Sequence, residues 1–121
     1  MNPPVRILLI EDEPNWQLGI GELLSTDPRF ELVGMADNYQ DAIQAYQQKQ
    51  PQAVLLDWQI LGEQDGLDIG HAFLQAGLPS ERIVLISGAT PSSIPKHPFL
   101  YVPKNRLHDE LLPLLASVTI N

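Results

Sequence analysis

No cysteine occurs among the 121 residues, which excludes disulfide scaffolding, thiol nucleophiles and cysteine-ligated metals. Basic residues are scarce. The 7 Lys+Arg stand against 15 Asp+Glu, a formal net charge of -8 that repels a nucleic-acid duplex or an anionic membrane. Direct nucleic-acid binding by this chain is not expected. No apolar run approaches the ~20 residues that a membrane span requires. The opening MNPPVRILLIEDE has no basic leader, and its short apolar run ends in acids, unlike a signal peptide. Internal repeats and low-complexity tracts are also missing. What is present is an ordinary globular composition, 44% hydrophobic and 18% charged. These features predict one domain over 1–121 with its core at about 5–115, and a cytoplasmic location fits them.

Short apolar runs alternate with helical stripes along the chain. Val5 to Ile10 is broken only by Arg6 and ends in acids, so it reads as a strand buried on both faces. Pro14 suits a helix's first turn, and Leu18, Ile20, Leu23 and Leu24 give that helix its stripe before Ser25 to Pro28. A second strand spans Glu31 to Ala36, and Asn38 caps a helix carrying Ala42, Ile43, Ala45 and Tyr46. The third strand, Ala53 to Leu56, stops at Asp57. Asp65 or Gly66 opens a helix with Leu67, Ile69, Phe73 and Leu74 as its stripe and Gly77 past its end. Ile83 to Ile86 stops at Ser87, and Phe99 to Val102 stops at Pro103 and Lys104. A last helix begins near Asn105 and buries Leu107, Leu111, Leu114 and Leu115. The pattern predicts an α/β fold, a doubly wound five-stranded parallel sheet. Between the last two strands, Pro91, Pro95 and Pro98 limit the fourth crossover to a turn or two of helix.

Polar residues fall repeatedly on the strands' carboxyl ends, where open parallel sheets collect function. Glu11 and Asp12 follow the first strand, Asp57 the third, Ser87 the fourth and Lys104 the fifth. Clustered carboxylates repel unless a cation sits among them, and hard oxygen donors without His or Cys favour magnesium. Lys104 adds a positive charge, and Ser87 can donate to an anionic oxygen. The set suits a phosphoryl group, with Asp57 as the best placed nucleophile. His71, His97 and His108 show no ligand spacing and are expected at the surface. Trp58 reads as a partly exposed platform.

From about Val5 to about Leu115 the chain resembles the receiver domain of a bacterial response regulator. The resemblance rests on the acidic pair in LLIEDEP, the acceptor in AVLLDW, the DG at Asp65 and Gly66, the hydroxyl in VLISGA and the lysine in YVPKN. It implies a flavodoxin-like, CheY-like fold of five strands and five helices. It further implies that Glu11, Asp12 and Asp57, with the Gln59 backbone carbonyl, hold Mg2+. Asp57 would accept phosphate from a sensor histidine kinase or phosphotransfer protein, with Ser87 and Lys104 on the phosphate. Ser87 and Tyr101 would form the switch that reaches a downstream protein or output domain, and a homodimer stays open. The stretch from Pro14 through RFELVGMADNYQDAI is similar to receivers followed by a LuxR-type helix-turn-helix. The chain is then either a complete single-domain regulator or a piece of a longer protein.

Three departures mark this sequence. Asn105 follows Lys104 where family members usually carry proline, Ile60 and Leu61 stand where a Met-Pro pair is common, and the Ser87 to Lys104 interval is about one helical turn short. Two rival readings remain. One is a pseudo-receiver that binds protein without phosphate. The other is an aspartate-based phosphatase, which would want a second aspartate where Gln59 stands.

Overall fold

Apolar runs with no alternation can stay dry only inside a sheet covered on both faces. Every residue of β3 (Ala53–Asp57) and β4 (Ile83–Ser87) is buried accordingly. A computed structural model, which describes residues 2–60 and 62–120, places these strands centrally, so Leu61 lies outside the described residues. The sheet is completed by β1 (Val5–Ile10), β2 (Phe30–Ala36) and β5 (Leu100–Pro103), all parallel, in the order β2-β1-β3-β4-β5. Strand order reverses between β1 and β3, which opens a crevice at their carboxyl ends. The doubly wound, flavodoxin-like fold anticipated from the sequence is the one observed.

Among the described residues four α-helices surround the sheet, one fewer than the resemblance implies: α1 (Pro14–Ser25), α2 (Tyr39–Lys49), α3 (Gly66–Gln75) and α4 (Leu107–Thr119). Alternate strand residues face opposite layers. Ile7, Leu9, Leu55, Val84 and Ile86 pack with Ile20, Leu23 and Leu24 of α1 and Leu107, Leu111 and Leu115 of α4. Leu8, Ile10, Val54, Leu56 and Leu85 pack with α2, with Ile69 and Phe73 of α3, and with Ile94 and Phe99 of the fourth connection. Asn38 accepts from the Asp41 N–H at 2.9 Å and caps α2.

The fourth connection keeps only a 3-10 turn, Pro91–Ser93, as helical structure among the described residues. Its prolines lack amide donors, so no longer hydrogen-bonded ladder forms. Phe99 and Ile94 cover the sheet where a helix would otherwise lie, and both are buried. Phe99 therefore turns toward α3 and β5 starts at Leu100, one residue later than the apolar run suggests. The Phe99 ring reaches α3 at Gly70, where an added Cβ would stand 2.6 Å from Phe99 Cζ.

Some expectations are corrected. Leu18 is 64% exposed, because two residues before Ile20 is about 200° around the helix from the buried stripe. The apolar run of β2 is an edge strand with a register shift opposite Ile7 and Leu8, and Met35 is 50% exposed. Leu74 and Leu114 are half-buried. His71 and His108 are exposed, but His97 is half-buried, stacked on Phe99 and accepting from the Phe99 N–H at 3.1 Å. Burial, then the nearby His71, lowers the His97 pKa below its usual value.

Gly66 and Gly70 test this packing. A Cβ at Gly70 meets side chains rather than backbone, the edge of the Phe99 ring and Leu56 Cδ1 at 3.2 Å, so Gly70→Ala costs about 1–3 kcal/mol in urea unfolding. At Gly66 a Cβ would collide with the Asp57 carbonyl and lie 2.9 Å from Trp58 Cα, backbone that cannot swing aside. Gly66→Ala is expected to cost more than Gly70→Ala, and the reverse order would contradict this packing.

Candidate functional site

β1 ends as the chain leaves the sheet at Glu11, whose side chain is fully buried. Its Oε2 accepts from the backbone N–H groups of Asp12 at 3.1 Å and Glu13 at 3.3 Å. Oε1 faces Lys104 Nζ at 2.8 Å as an ion pair, without a well-aligned hydrogen bond. Asp57 is the last residue of β3 and is 5% exposed. Its Oδ2 lies 3.3 Å from Lys104 Nζ, and its Oδ1 accepts a long bond of 3.4 Å from the Gln59 N–H. Carboxylate oxygens of Glu11, Asp12 and Asp57 come within 4.8 Å of one another.

Local sequence explains why these groups stay in place. Asp65 and Asp68 form a capping box at α3, so the helix begins immediately beyond the loop that follows β3. The Gly66 N–H donates to the Trp58 carbonyl at 2.8 Å and ties that loop back to the strand end. Pro103 closes β5 opposite Ser87, so Lys104 leaves the sheet beside the hydroxyl at the tip of β4.

Ser87 is 1% exposed, and its Oγ accepts from the Ala89 N–H at 3.0 Å, which leaves its own proton available to donate. The Tyr101 hydroxyl donates to the Ala89 carbonyl at 2.8 Å, and its half-buried ring packs on the layer that contains Phe99. Burial raises the Tyr101 pKa above the ordinary phenol value. Ser87, Ala89, Tyr101 and Lys104 line one small cavity. The structure thus brings Glu11, Asp12, Asp57 and Lys104 together, sets Ser87 and Tyr101 along the neighbouring wall, and leaves the Gln59 side chain exposed.

Two residues escape a reading of motifs. Trp16 of α1 places its ring under Lys104, with Nζ 4.7 Å from the centroid. Gly66 was legible as a helix start, but not as the point where α3 touches the Asp57 backbone.

Desolvation by burial, opposed by Lys104 and reinforced by Asp57, pushes the Glu11 pKa up from 4.5 to about 7. The native state therefore binds a proton that the unfolded chain has already lost between those values. Stability falls as pH rises through that window. Urea unfolding in a chelator is expected to show this slope from about pH 4.5 to about pH 7, and Glu11→Gln is expected to flatten it. An equal slope in both proteins would contradict the assignment.

Comparison with known proteins agrees with this geometry. The model of the response regulator receiver domain matches residues 7–97, a span that ends before Tyr101 and Lys104. A protein-glutamate methylesterase/protein-glutamine glutaminase of Moorella thermoacetica is 37% identical over 87 residues, 72% of this chain and 20% of that protein. The nitrate/nitrite response regulator protein NarL of Escherichia coli is 34% identical over 84 residues, 69% of this chain and 38% of that protein. The chain thus spans well under half the length of these relatives. A two-component response regulator of the LuxR family from Aurantimonas sp. superposes with a TM-score of 0.85 at 22% identity, over 96% of this chain and 85% of that one. Motifs, sheet order and matched span agree, and the chain belongs to the response regulator receiver domain family.

Proposed function

We propose that this chain is a phosphoacceptor that takes a phosphoryl group from a sensor histidine kinase or phosphotransfer protein onto Asp57. The supporting observation is the Asp57 carboxylate at the tip of a central strand, with Lys104 Nζ at 3.3 Å and the Glu11 and Asp12 carboxylates beside it. An Asp57 oxygen forms the bond to phosphorus as the phosphorus–nitrogen bond of a phosphohistidine breaks, and the departing imidazole takes up a proton. Lys104 and Ser87 donate to the phosphoryl oxygens. Hydrolysis of the acyl phosphate returns the carboxylate and releases inorganic phosphate, so the chain acts as a switch rather than a turnover enzyme.

The residues fit a hard divalent cation. Their donors are all oxygen, and Glu11 is wholly buried with an oxygen that makes no directed hydrogen bond. A magnesium ion held by Glu11, Asp12, Asp57 and the Gln59 backbone carbonyl would neutralise charge on the transferring group. The switch runs from Ser87 through Ala89 to Tyr101, and so into the fourth connection and β5. That surface would meet a downstream protein or an output domain. Among the described residues no helix is long and apolar enough to cross a membrane, and a cytoplasmic site beside a kinase's soluble portion fits this.

The fourth connection, reduced to a single 3-10 turn, favours a second reading, a pseudo-receiver that keeps the fold but binds protein without phosphate. Nothing comparable favours a phosphatase, since Gln59 occupies the position of the second aspartate and is exposed. Beryllofluoride with magnesium separates the first two. Tryptophan fluorescence is expected to change saturably and magnesium-dependently in wild type and to stay flat in Asp57→Asn; a flat wild type would favour the pseudo-receiver. Gln59 borders the expected path of the hydrolytic water, so Gln59→Ala is expected to change the acyl-phosphate half-life. Equal half-lives would remove Gln59 from that role.

A further inference from the structure

We infer that Trp16 is a positioning residue for Lys104, holding its ammonium over the carboxylate cluster so that it is ready for an incoming phosphoryl oxygen. This deepens the phosphoacceptor reading and rests on it. Lys104 Nζ lies 4.7 Å from the Trp16 ring centroid, inside the range of a cation–π contact. The Lys104 side chain is only 11% exposed, so the contact forms largely away from water, where such attraction is strongest. Trp16 is itself half-buried and packed against the layer formed by α1 and α4, which fixes the plane of the ring.

The choice of an aromatic has a chemical reason. An ammonium has three N–H donors, and here Glu11 and Asp57 already face it at 2.8 Å and 3.3 Å. A third carboxylate in place of Trp16 would compete with phosphate for the remaining donor. An aliphatic side chain would leave the flexible four-carbon stem of lysine free to wander. The π face attracts the charge without a lone pair that must be displaced. Its attraction is broad, so Lys104 can shift from the carboxylates toward a phosphoryl oxygen while staying on the indole.

The test uses the full chain with Trp16→Phe and Trp16→Leu, each also combined with Lys104→Met. Phosphorylation by acetyl phosphate at saturating magnesium is the primary readout, with thermal midpoint and magnesium affinity measured on every variant. Trp16→Leu is expected to slow phosphorylation about threefold to tenfold, the kinetic equivalent of a cation–π contact. Trp16→Phe is expected to recover most of that rate, and magnesium affinity is expected to hold. In the Lys104→Met background the Trp16→Leu effect should vanish, which a purely structural loss would not do. An undiminished effect in that background, or equal rates for Leu and Phe, overturns the inference. A wild type that takes up no phosphoryl group overturns the phosphoacceptor reading first. In that case a Trp58→Phe chain, where Trp16 is the sole remaining tryptophan, still tests the contact: its emission should change on Lys104→Met, and unchanged emission overturns it.

Discussion

One ammonium shared by two carboxylates holds the sheet edge together. Lys104 meets both Glu11 and Asp57, which leave the sheet at the ends of two different strands, and it arrives from a third. When all are ionised, the three acids exceed the lysine by two negative charges, the charge a divalent cation would balance. Without such a cation the burial of Glu11 is expensive, and its raised pKa registers that expense. The cluster is thus a fold element and, in the proposed function, the site at once. The mutual repulsion of its carboxylates would ease when positive charge arrives.

The rest of the architecture serves to keep those strand ends in register. The central strands are dry on both faces, so their carboxyl ends cannot slip without moving two packed layers. Gly66 lets α3 begin directly against the Asp57 backbone, while Pro103 ends β5 opposite Ser87. The wall beyond Ser87 is lighter. A 3-10 turn with Phe99 and Ile94 stands where a full helix would give more rigid cover, and Tyr101 ties the turn's start to β5 through the Ala89 carbonyl. In the proposed switch a small rearrangement at Ser87 would reach a segment held by few apolar anchors, the kind of element a site can bias.

Much of this was legible in the chain. Apolar runs of strand length, separated by capped helical stripes, specify the alternation, and the residues at the strand ends name the site because parallel sheets deliver them to one edge. What escaped is tertiary. Leu18 has the composition of a core residue, but the wrong angle about α1. Phe99 looks like the first residue of a strand and becomes a wedge because Gly70 leaves room across the layer. Trp16 and Lys104 are 88 residues apart and belong to different elements, so only the packing of α1 beside β5's exit brings them into contact. His97 leaves its expected surface position because it stacks on Phe99 and accepts from the Phe99 N–H.

Intact-mass spectrometry after incubation with acetyl phosphate and magnesium tests the central claim most directly. Phosphorylation at Asp57 requires a gain of one phosphoryl group that is lost on adding hydroxylamine and absent in Asp57→Asn. A folded wild type with no gain, or a gain that persists in Asp57→Asn, would contradict it.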